Sequence, residues 1–159
     1  MTLLGNIIWF LLGGWALGLG YFMGAVLFFP LLPFLMPLVG YSFLPFGKTP
    51  VRRSDINAWK ESRGEEVDLS AAKLASGKLR FISNVLWVFT FGWLLALAHF
   101  IAAFANLVGC VFLFTIPICV PHMMAHFKLM PVALRPFGVR IVPTSLAEEI
   151  RTAGYVKSL

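Results

Sequence analysis

Residues 81–127 read FISNVLWVFTFGWLLALAHFIAAFANLVGCVFLFTIPICVPHMMAHF, 47 consecutive positions without an aspartate, glutamate, lysine or arginine. A spanning helix needs roughly 20 apolar residues, so this stretch is long enough to enter a bilayer twice. Residues 1–47 are equally long and equally free of charge. The chain of 159 residues is 59% hydrophobic and 13% charged, against about 45–50% and about 25% in ordinary globular domains. A single small domain has no core that could hide such a surplus, and lipid must cover it. No basic segment precedes the first apolar run and no small-residue cleavage site follows it, so it reads as a retained membrane helix and not as a signal peptide.

All 13 Lys and Arg lie outside the two runs, from Lys48 to Arg80 in the middle and from Lys128 to Lys157 in the tail. Positive residues stay in the cytoplasm, which predicts a cytoplasmic loop and a cytoplasmic C-terminus, with residues 81–127 going in and coming back as two spans or one re-entrant hairpin. The net charge of +6 thus reports topology first. In the loop the positive side chains are diluted by Asp55, Glu61, Glu65, Glu66 and Asp68, so nucleic acid is not expected as a partner.

The two runs resemble each other. Asn6-Ile-Ile-Trp9 recurs as Asn84-Val-Leu-Trp87, and Gly14-Trp15 as Gly92-Trp93, at one offset of 78 residues. Pro30 and the later Pro45-Phe46-Gly47 recur as Pro121 and Pro136-Phe137-Gly138, at an offset of 91. The difference implies an insertion in the second copy between roughly Phe100 and Pro121, or a deletion in the first. Such recurrence predicts a tandem duplication, and an even number of crossings per copy would give both copies one orientation, unlike inverted-repeat transporters. The copies also share Pro-Phe-Gly-x-x-x-Val, at Pro45 to Val51 and Pro136 to Val142. These arms are predicted to pair as a small cytoplasmic sheet.

The pattern Asn84-x-x-Trp87 with Gly92-Trp93 and His99, then His126-Phe127-Lys128 and Pro136-Phe137-Gly138, resembles the YccF family of bacterial inner-membrane proteins. The likeness runs from about Asn6 to Val142 and is better in the second copy; in the first, Pro37 stands in the place of Lys128. The resemblance implies two YccF-type domains in a multi-pass protein of the bacterial inner (cytoplasmic) membrane with its C-terminus in the cytoplasm. It supplies no catalytic residues.

The expected architecture is therefore an all-α membrane protein of tandem duplicated helical hairpins with proline-broken or re-entrant second segments, a small cytoplasmic loop and a C-terminal amphipathic helix. A first YccF-type repeat occupies residues 1–51, a cytoplasmic linker 52–80, a second repeat 81–142 and the tail 143–159. Asn6 to Phe29 covers about 36 Å as a helix, enough to span with tilt. Gly14, Gly18, Gly20, Gly24 and Gly92 would let helices approach closely. Pro30, Pro33 and Pro37 each remove a backbone donor and clash with the preceding turn, so no straight second helix is expected there, and residues 30–45 become a re-entrant or interfacial element. One helix is expected from about Phe81 to Phe104, and a second apolar stretch from Asn106 to Cys119, interrupted by Pro117 and Pro121. Ser70 to Leu79 reads as a short helix. The capping box Ser145-Leu-Ala-Glu148 would start a helix at Leu146.

Polar groups in apolar spans are the informative ones. At 100° per residue, Asn84 and His99 fall about 60° apart and Asn106 about 20° from His99; Tyr21 occupies the position matching His99. Together with Asn6 and Thr90 they form a candidate stripe that lines a path or bonds neighbouring helices. His122 and His126, at i and i+4 beside Cys119, have the residue types of a metal site. Spacing is its only warrant, and neither metal nor cofactor is expected. Cys110 and Cys119 would point to opposite sides of a continuous helix and stay unbridged. Trp9, Trp15, Trp87 and Trp93 recur with the copies and read as interface anchors or interior packing, with packing favoured for Trp15 and Trp93, each of which follows a glycine. With no carboxylate pair, phosphate loop or nucleophile set, the chain is not expected to be an enzyme. The leading expectation is a homo-oligomeric channel or small transporter for an ion or small solute. The alternative is a non-transporting scaffold or accessory subunit docking a cytoplasmic protein partner.

Overall fold

The computed structural model describes residues 2–65 and 77–157. Its elements are α1 (Thr2–Leu27), α2 (Leu32–Phe43), β1 (Lys48–Arg52), α3 (Arg53–Ser62), α4 (Gly77–Gly109), α5 (Ile116–Leu134), β2 (Val139–Pro143) and α6 (Thr144–Lys157). A 3-10 turn at Phe29–Leu31 folds α1 back onto α2, and another at Leu113–Thr115 precedes α5. Three helical segments, Thr2–Leu27, Gly77–Gly109 and Leu113–Leu134, are long and apolar enough to cross a membrane. Large side chains stand bare along them, including Phe89, Leu113 and Phe114, each about four-fifths exposed. Such a surface is tolerated against lipid or against another protein chain, not in water.

Prolines do not break the second arms. Pro33 and Pro117 fall in the first turn of α2 and α5, where the missing N–H has no intrahelical partner in any case. Pro37 lies inside α2, and Pro121 and Pro131 inside α5, with the helices continuing through them, as packed apolar helices allow. The long helix of the second half also runs further than its composition suggested, through Asn106 to Gly109, and the chain turns at Cys110–Phe112. Of the short helix expected at 70–79, residues 70–76 lie outside the described residues, and Gly77 to Leu79 begin α4. Helix α6 starts at Thr144, so Ser145 sits inside it and is no N-cap.

The two Pro-Phe-Gly arms pair as an antiparallel two-stranded sheet, in register Lys48 with Pro143 through Arg52 with Val139, centred on Pro50 and Ile141. Gly47 and Gly138 take φ of 83° and 116°, backbone that a side chain would strain, and their carbonyls accept the N–H groups of Thr144 and Arg53 at 3.1 and 3.0 Å. Helices α3 and α6 close over this sheet. Val51, Ile56, Val142, Ala147 and Ile150 form a small core of their own, with Trp59 and Leu146 at its edge.

The main core joins Trp9, Tyr21, Leu35, Tyr41, Trp87, Leu95, Leu129 and their neighbours. Across it, α1 and α4 run in opposite directions. A Cβ added at Gly24, near the end of α1, would stand 2.8 Å from the Trp87 ring near the start of α4, and one at Gly20 would stand 3.1 Å from Leu95. The two hairpins therefore lie head to tail, the turn of the first beside the base of the second. This corrects the expectation of two copies sharing one orientation. Charge placement reports which segments leave the lipid, and says nothing about the direction in which two apolar helices pack.

Candidate functional site: a buried tyrosine–histidine chain beside a cavity

Each long helix carries one wide π-type turn, at Phe10–Gly14 and at Val88–Gly92. The turn brings a tryptophan under a glycine: added Cβ atoms at Gly14 and Gly92 would collide with Trp9 and Trp87. Both indoles are buried, and each donates to a carbonyl of the facing helix, Trp9 to Ser42 O at 2.9 Å and Trp87 to Ala133 O at 2.7 Å. Trp15 and Trp93 are instead about half exposed, a correction to their reading as packing residues. A residue just past the glycine is turned about 100° away from the face that Gly14 and Gly92 present.

One turn earlier, the asparagines make matching clasps. Asn84 donates to Phe137 O at 2.9 Å and accepts from Phe137 N at 3.1 Å. Asn6 does the same with Phe46, at 3.3 and 3.0 Å. Both therefore sit at hairpin bases, held to the Pro-Phe-Gly arms. Thr90 is exposed and bonds back to Leu86 O and Trp87 O in its own helix. Asn106 donates to Ala102 O, also in its own helix. The structure thus does not gather the five polar positions into one stripe. The π-type turn inserts extra arc between Asn84 and His99, which defeats a regular count of 100° per residue.

What it does gather is Tyr21, His99 and His126. Tyr21 Oη lies 3.0 Å from His99 Nε2, and His99 Nδ1 lies 3.0 Å from His126 Nδ1. All three residues are buried, Tyr21 and His99 almost completely. The chain of bonds is self-consistent in two arrangements. With Tyr21 donating, His99 carries its proton on Nδ1 and donates to His126; with His126 donating, every bond reverses. Three uncharged rings can satisfy one another in this way among apolar helices, which an isolated imidazole cannot.

The chain ends at a cavity of about 260 Å³ between α1, α4 and α5, walled by Trp9, Gly13, Ala102, Asn106, His122 and His126 among others. Gly13 has φ of 119°, non-helical backbone inside the first long helix, and broken backbone in an apolar span is tolerated where it lines protein or water. Trp9 stacks on His122 and packs on His126, with ring centroids 5.9 and 4.4 Å away. His122 Nδ1 donates to Ile118 O at 2.7 Å, and its Nε2 is buried with no hydrogen-bond partner among the described residues.

The glycines of the candidate packing set separate by role. Gly18 faces Phe43 within the first hairpin, Gly20 and Gly24 face α4, and Gly14 and Gly92 chiefly accommodate their own tryptophans. Cys110 and Cys119 are free thiols; the turn after Gly109 folds the Cys119 sulfur against that glycine, so the two do not lie on one continuous helix as expected. Among the described residues no group of three or more His, Cys, Asp or Glu is arranged to hold a metal ion. His126 escaped the sequence reading as a partner of His99, and Trp9 as a partner of His126, because no local period links segments so far apart. The available signal was that Tyr21 and His99 share the 78-residue offset of the asparagines and tryptophans.

Residues 82–139 match the YccF family model, described as an inner membrane component domain. That stretch contains Asn84, Trp87, His99, His122 and His126; Trp9, Gly13 and Tyr21 lie outside it. Over 155 residues, 93% of this chain and 92% of the relative, the chain is 28% identical to inner membrane protein YccF of Escherichia coli (strain K12), and the Shigella flexneri protein of the same name matches equally. No solved structure matches the chain. The chain is thus a mostly helical protein with three segments long and apolar enough to cross a membrane, similar along nearly its whole length to an inner membrane protein.

Proposed function

We propose that this protein is a homo-oligomeric channel or small transporter for an ion or small solute, built from two copies of a YccF-type hairpin. The observation that carries the reading is the Tyr21–His99–His126 chain ending at a cavity beside the non-helical Gly13. Polar and ionisable groups in apolar helices mark pathways more often than they serve as ornament. The matching Asn6 and Asn84 clasps and the matching Trp9 and Trp87 bonds support the duplication.

In this reading the sheet, α3, α6 and the C-terminus face the cytoplasm, since the loop and tail hold every Lys and Arg. So few helices enclose no pore alone, and subunits must share one. The protein performs no catalysis of its own, takes no cofactor and binds no nucleic acid.

The test is flux of ions and small solutes through purified protein in liposomes. Flux that His99→Leu abolishes while the oligomer survives supports the reading. A strict monomer by light scattering after micelle subtraction sinks it. The separate core of the sheet, α3 and α6 favours a second reading, a scaffold docking a cytoplasmic protein; a stoichiometric partner that copurifies with flux-inactive protein would select it.

A further inference from the structure

The two halves of the core are not equally filled. Tyr21 pairs with His99 across 78 residues, and Pro50 pairs with Ile141 across 91. On the duplication proposed above, these are equivalent positions meeting each other, so a twofold axis relates the halves and every feature of one has a counterpart in the other. The positions that correspond to the cavity walls carry larger side chains in the other half. Where Gly13 and Asn106 edge the cavity beside Trp9, the other half has Phe91 and Phe28, whose rings pack 6.2 and 5.6 Å from that of Trp87. Where His122 and His126 stand, it has Leu31 and Leu35, the latter almost wholly buried. Two phenyl rings and two aliphatic chains in one half thus correspond to a glycine, an amide and two imidazoles in the other.

We propose that this asymmetry has made the cavity a binding site for a small nitrogenous hydrogen-bond donor of the ammonium or primary-amine class. The chemistry of the walls selects that class. Ile118 O can only accept, so a neutral His122 keeps its proton on Nδ1 and presents a lone pair at Nε2. That lone pair is buried without a partner among the described residues, at a cost that a ligand bringing an N–H donor removes. Among the described residues no lysine or arginine lines the cavity to hold an anion, and no three-ligand set stands to hold a metal ion. The Trp9 indole and the imidazoles provide the electron-rich rings that a small monovalent N–H cation prefers. The volume of about 260 Å³ admits a donor of this size. The assignment deepens the transport reading, which it takes for its role, by naming the solute.

The test uses the whole protein in detergent, melted in ammonium chloride or methylammonium chloride against sodium chloride at equal ionic strength. The site predicts a saturable rise in melting temperature with the first two salts. His122→Leu, which installs the residue of the other half, weakens the apparent affinity about tenfold, as loss of one hydrogen bond to a buried acceptor implies. Should that variant fail to fold, Asn106→Phe fills the cavity from its edge with the counterpart side chain and abolishes the rise. Equal melting in all three salts, or a rise that survives both variants, means that the cavity holds water alone and overturns the proposal. Liposome flux separates the two readings: amine binding without flux of any solute removes the transport reading and keeps the site, whereas flux of another solute without amine binding keeps transport and removes the site.

Discussion

Tyr21 and His99 are 78 residues apart and 3.0 Å from each other, hydroxyl to Nε2, at a contact between the two halves of the core. The bond joins two helices that otherwise meet through apolar atoms and glycines, so it is a large part of what fixes their register. Tyr21→Phe removes the hydroxyl and leaves His99 Nε2 without that partner, and is expected to cost about 1–2 kcal/mol. In a double-mutant cycle with His99→Phe the coupling should be at least about 0.5 kcal/mol. Unfolding in mixed detergent measures all four corners, and additive costs would contradict a shared bond.

Asn84 uses both ends of its amide on one residue, Phe137. Asn84→Ala should therefore destabilise the second hairpin by about 1–2 kcal/mol, two bonds of the size seen between membrane helices. The specific readout is amide exchange at Phe137, which loses its acceptor and should exchange faster while amides in the middle of α4 keep their protection.

Two glycines in the first half should respond in opposite ways. At Gly24 an added Cβ meets the Trp87 ring at 2.8 Å, so Gly24→Val drives α1 off α4 and is expected to cost more than about 2 kcal/mol. At Gly40, inside α2, an added Cβ has nothing within 4 Å. Gly40→Ala should raise stability by up to about 1 kcal/mol through helix propensity. Melting temperatures of the two variants decide this.

The module of sheet, α3 and α6 should depend on its core and little on its surface charges. Ile56 is buried against Val51 and Ile150, and Ile56→Ala is expected to cost about 2–4 kcal/mol. Arg63 reaches Glu149 at 2.9 Å and lies over Trp59 at 4.9 Å, yet both charged side chains are about half exposed. Arg63→Ala should therefore cost at most about 1 kcal/mol, less at high salt. Proteolysis of the Arg53–Ser62 helix, measured against salt, distinguishes the two.

Much of the local structure was legible. The repeated Pro-Phe-Gly arms predicted a pair of strands, and the charge-free runs predicted the long apolar helices. Errors arose where regular geometry failed. The stripe through Asn84, His99 and Asn106 assumed an uninterrupted helix, and the π-type turn at Val88–Gly92 removed that assumption. Prolines 37 and 121 were read as breaks because in water a freed carbonyl and a crowded turn end a helix; packed apolar helices carry the same residues without stopping.

From composition and the placement of charge, the chain alone determined that it is too apolar for water, which segments carry all the charge, and which positions recur. Only the folded molecule decided that the hairpins lie head to tail, that Tyr21, His99 and His126 meet, and that a cavity opens at Gly13 and His122. The physical reason is that membrane helices are apolar on every side. With no hydrophobic face to orient them, their packing is set by where glycines admit a ring and where single polar groups find each other, and those matches exist only in three dimensions.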